Sequence, residues 1–170
     1  MLLIPNQNPY VSGETAVFDS LVRTGEERSH VTLPFNLRLF LVDCLIEHLP
    51  DAGITQHVLA LGLLESSEKS GAERTLLLKR TGDAALILAG LYPERANRLN
   101  VTPTYFRFMG QTSYATLATH LLASSAADRG KFFNEVADGF VLLERVLNNV
   151  RAEVESEWIA FLWFRTKAIG

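Results

Sequence analysis

The chain has 170 residues, of which 48% are apolar and 21% charged, with a formal net charge of −3. That composition excludes intrinsic disorder and suits one sizeable core, so a single domain over residues 1–170 is expected, with residues 1–33 its least regular part. The acidic balance argues against a surface that grips nucleic acid non-specifically, and the lone cysteine, Cys44, excludes an intramolecular disulfide and points to a reducing compartment, the cytoplasm.

The opening MLLIPNQNPY has no basic flank and an early proline, so it does not read as a secretory leader. Pro5, Pro9, Gly13 and Gly25 then interrupt the pattern and leave a short amphipathic helix over 16–23, carried by Phe18, Leu21 and Val22. Pro34 opens a helix over 34–49 that is apolar nearly all round, which places it at the centre of the fold. A shorter helix is expected over 54–64. After a polar break, Ser70 and Glu73 have capping-box spacing ahead of a helix to residue 91, with Gly82 marking a kink or break.

Thr102-Pro103 is a cap followed by proline at the first helical position, and starts a helix over 103–124 whose Gly110, Ser113 and Ala118 suit close contact with a neighbour. From Asp128 the residues Phe133, Val136, Ala137, Phe140, Leu143, Leu147 and Val150 lie along one helical face. A terminal helix over 151–166 carries Trp158, Phe161 and Trp163 and more apolar surface than one packing face needs, which predicts a homodimer or another protein partner. Its apolar run, residues 158–164, is far below the roughly 20 residues that span a bilayer. The expected fold is all-α, a bundle-like packing of about six helices without a sheet.

Catalytic and metal motifs find no support. The histidines, His30, His48, His57 and His120, are scattered, with Glu27 and His30 the single Glu-x-x-His match, so neither a metal nor another cofactor is expected. Asp43 and Glu47 share one helix face, where a solvated stripe or a pairing with Arg38 or another cation is a better account than an acid and base pair. Cys44 lies among apolar neighbours and reads as buried and inert. An enzyme would need a site assembled in space, for which Asp43, Glu47, His48 and His120 are the candidates.

Charge is distributed unevenly. Residues 73–107 carry six bases (Arg74, Lys79, Arg80, Arg95, Arg98, Arg107) against three acids, whereas residues 1–70 carry nine acids against four bases. Within the basic stretch, Tyr92, Arg95, Arg98, Tyr105 and Arg107 surround the start of the Thr102 helix and form a candidate site for a small anionic or aromatic ligand. The bland account is a structural connection in which Glu94 pairs with Arg98.

Gly90-Leu91-Tyr92-Pro93-Glu94, continuing through Tyr105, Met109-Gly110 and Tyr114, resembles a stretch of uncharacterised bacterial helical proteins of unknown function. The resemblance covers residues 90–114 and implies a bacterial source and no activity. The surplus aromatic surface of the last helix and the missing catalytic motifs make the expected function non-enzymatic, working through protein contacts, with regulation as one form. A helical ligand-binding domain is the first alternative and an enzyme with a spatially assembled site the second.

Overall fold

The computed structural model describes residues 13–49, 53, 54 and 57–154. Among these it contains seven helices: α1 (Gly13–Ser29), α2 (Phe35–His48), α3 (Leu59–Glu68), α4 (Gly71–Leu91), α5 (Arg95–Arg98), α6 (Pro103–Leu122) and α7 (Ala127–Asn148). A further helix opens at residue 151. Among the described residues there is no strand and no helix long and apolar enough to cross a membrane. The all-α fold agrees with the sequence, but the helices outnumber six, in part because the connection after Leu91 winds into the single turn α5. The aromatic run at 158–164, on which the dimer expectation rests, lies outside the described residues.

The central helix is α4, not α2. Every residue from Thr81 to Leu91 is buried, and α4 packs most extensively on α6 and also on α3 and α7. Helix α2 turns one side to solvent, leaving Phe35 69% exposed, and packs mainly on α1. Sequence disguised this because α4 carries Thr81 and Asp83 on buried faces, where polar residues are normally a sign of solvent.

No break occurs at Gly82, and α4 is continuous from Gly71 to Leu91. The glycine makes room for a neighbour: a Cβ there would lie 2.6 Å from Cε1 of Tyr114, whose ring packs directly against the α4 backbone. Tyr114 belongs to a buried aromatic group with Phe40, Phe133 and Phe140, their centroids 5.8 to 6.2 Å from its own. Such spacings favour the edge and offset contacts that aromatic rings prefer, and they join α2, α6 and α7. Two places on this frame carry chemistry, one where α2, α4 and α6 meet and one where the start of α3 faces α4 and the α5–α6 connection.

Candidate functional site

Asp83 is the first of these places. Its side chain is 0% exposed, and it is held as a carboxylate by donors from three helices. The Tyr114 hydroxyl donates to Oδ1 at 2.7 Å, Nζ of Lys79 donates to Oδ2 at 2.7 Å, and Nε2 of His48 lies 2.6 Å from the same oxygen. Helical spacing supplies one of the three contacts, since Lys79 and Asp83 are four residues apart on α4. Lys79 also donates to Oε2 of Glu47 at 3.0 Å, at the solvent edge of the cluster.

Burial pushes the Asp83 carboxyl upward, but the His48 hydrogen bond and the Lys79 charge outweigh it and hold the group below its usual value. Lys79 is lowered by burial and raised more strongly by Asp83 and Glu47, so its ammonium is secured. Burial and the nearby Asp83 charge push the Tyr114 phenol well above its usual value, which keeps it a donor. A carboxyl depressed on folding contributes stability above its unfolded pKa of roughly 4 and loses that contribution as pH falls through the folded value. The urea midpoint should therefore drop below about pH 4, and the drop should be shallower in Asp83→Asn.

Cys44, His48 and Asp83 each offer a ligand atom, all within 4.8 Å of one another and all buried, and among the described residues these are the ones that could hold a metal. Asp83 Oδ2 is, however, already within hydrogen-bond reach of both His48 and Lys79, and the Lys79 ammonium supplies a cation in place of a metal. An incoming ion would have to displace both bonds. Burial, with Asp83 beside it, pushes the Cys44 thiol well above its usual value, so it is neither a ready nucleophile nor a ready ligand. The arrangement fixes charge and geometry inside the core.

Of the four residues that an assembled enzyme site would have used, Glu47 and His48 meet, 3.7 Å apart. Asp43 is exposed on α2, and His120 contacts the Gly71 carbonyl, about three turns of α4 away from Asp83. The signals that could have found the cluster were Cys44 and His48 at i, i+4 on one helix and Lys79 and Asp83 at i, i+4 on another. Glu47 pairs with a cation, Lys79, and Arg38 pairs instead with the buried Glu26 through two hydrogen bonds.

The second place is a pocket of about 200 Å³. His57, Val58 and Leu59 come from the entry to α3, Leu88 from α4, Leu99 and Val101 from the chain after α5, and Tyr105 and Phe106 from the first turn of α6. Leu59, Leu88 and Phe106 are buried, while Val58 and Leu99 are about half exposed at 55% and 56% and place apolar surface in solvent beside it. His57 Nε2 lies 3.0 Å from the Thr81 hydroxyl oxygen, which itself donates to the Leu77 carbonyl at 2.8 Å. Gly62 permits this pairing, since a Cβ there would lie 2.2 Å from Thr81 Oγ1 and 2.6 Å from His57 Nε2. Burial, reinforced by the Arg80 charge, lowers the His57 pKa. None of the Asp83 cluster lines this pocket.

The five residues expected to hold a ligand are distributed over separate contacts. Tyr105 lines the pocket. The Arg95 guanidinium sits over the Tyr92 ring, 4.9 Å from its centroid, and Arg98 is exposed. Arg107 forms a two-pronged pair with Glu144 of α7 at 2.7 and 3.0 Å. Glu94 pairs with Arg151 at 2.9 Å. His57, Val58 and Leu88 were not distinguished in the sequence, because the pocket joins residues about 30 to 50 positions apart. Comparisons with known protein families, curated proteins and solved structures find no match to this chain.

Proposed function

We propose that this chain is a non-catalytic binding domain that holds a small, mainly apolar molecule in the pocket between α3, α4 and the α5–α6 connection. The observation that carries the proposal is the pocket itself: about 200 Å³, with apolar walls and a polar end made of the His57 imidazole hydrogen-bonded to Thr81. Ligand sites commonly combine predominantly apolar walls with a few placed polar groups. The Asp83 cluster favours the same conclusion, because its carboxylate is already satisfied by three donors and has no bare oxygen for a substrate. Contact with a partner protein fits this function as the output of a ligand-gated regulator. A bacterial source and a cytoplasmic setting complete the proposal, the latter because Cys44 is buried and unpaired.

The test is amide NMR of the full chain titrated with monocyclic aromatics. Shifts should concentrate at residues 57–59, 88, 99–101 and 105–106, and the filling substitution Val101→Phe should abolish them while the remaining spectrum is preserved. Shifts that spread evenly, or that survive Val101→Phe, would remove the pocket as the binding site.

A further inference from the structure

We propose that the pocket selects an uncharged ring carrying a hydrogen-bond donor, of the phenol or indole class, whose donor is received by Nδ1 of His57. This rests on the pocket being a ligand site and adds the chemistry of the occupant.

The argument starts at Thr81. Its hydroxyl has one proton, and that proton is committed to the Leu77 carbonyl four residues earlier on α4. The oxygen can then only accept from His57, so the ring nitrogen 3.0 Å away, Nε2, is the one that carries hydrogen. Burial and the neighbouring Arg80 charge both disfavour a second proton on the ring. A neutral imidazole protonated at Nε2 has an unprotonated Nδ1, which accepts and cannot donate. Gly62 keeps the tautomer in place, because any side chain there would push the ring off Thr81.

The occupant follows from this electronic state and from size. A cavity of roughly 150 Å³ lined by aliphatic and aromatic side chains accepts benzene, and the about 200 Å³ present here leaves space for a substituted ring or a small fused one. A carboxylate would direct its lone pairs at the Nδ1 lone pair and would lose water without gaining a bond. A hydroxyl or indole N–H would meet an acceptor, with the ring against Leu59, Leu88 and Phe106.

The experiment compares three probes that share a tolyl ring, p-cresol, toluene and p-toluate, by NMR titration of the full chain near neutral pH. A long-range ¹⁵N correlation spectrum of the histidine rings is recorded alongside. p-Cresol should bind roughly tenfold more tightly than toluene, p-toluate should bind least, and His57 should show the Nε2–H tautomer. His57→Phe should bind toluene still and lose the preference for p-cresol. Equal affinity for cresol and toluene, tighter binding of toluate, or an Nδ1–H ring would overturn the donor-selective proposal while leaving the pocket as a ligand site. Failure of all three probes to bind at millimolar concentration would overturn the ligand site itself and this inference with it.

Discussion

Replacing Asp83 by alanine should lower the free energy of unfolding by about 3–5 kcal/mol, the cost of removing one partner from a buried ionic group. The carboxylate accepts from Tyr114, Lys79 and His48 within the core, and its loss leaves the Tyr114 hydroxyl and the His48 imidazole buried without their acceptor. Lys79 suffers less, since it is partly exposed and retains Glu47. Urea unfolding monitored by circular dichroism measures the difference. Asp83→Asn should fall between wild type and alanine, because an amide oxygen still accepts from Tyr114. A loss below about 1 kcal/mol for alanine would mean that the cluster is solvated.

Gly82→Ala should destabilise the protein by about 2–3 kcal/mol, although alanine is favoured over glycine in a helix interior by about 1 kcal/mol. The added methyl would lie 2.6 Å from Cε1 and 2.8 Å from Cδ1 and Cζ of Tyr114. The ring cannot retreat, being fully buried against Phe40, Phe133 and Phe140 and tied through its hydroxyl to Asp83. Overpacking of this kind costs about 1–3 kcal/mol, and a displaced Tyr114 adds the cost of a weakened bond to a buried acceptor. Gly82→Ala and Tyr114→Phe should be non-additive in thermal unfolding, since both act on one hydrogen bond. Strict additivity would show that the methyl is accommodated elsewhere.

The helix over 128–150 was the most legible part of the chain, because Phe133, Val136, Phe140, Leu143 and Leu147 are all buried on one side of α7, as their spacing required. Glycine misled at Gly82, where local propensity predicts a break and tertiary contact with Tyr114 explains the residue instead. The helix expected over 54–64 begins at Leu59 instead, and the residues from His57 serve the pocket. The Asp83 cluster could not be read as a site because its donors lie 35 residues before it, four before it and 31 after it. Only their helical offsets, not their positions along the chain, are visible in a sequence. For the ligand, Tyr105 is legible as a candidate because it stands beside the Thr102-Pro103 helix start, whereas His57 looks like one scattered histidine among four.

The burial of α4 from Thr81 to Leu91 also sets an order of opening. Amide hydrogens in that stretch have no solvated face and should exchange with deuterium only when the whole core unfolds, last among those of the chain. Leu88 lies in this stretch, so the inner wall of the pocket is also its least yielding one. Any entry route must instead be made by the outer wall, where Val58 and Leu99 already stand half in water. The rate at which a ligand arrives and leaves is then governed by fluctuations of the α3 entry and the 99–101 connection, while the shape it meets inside stays constant.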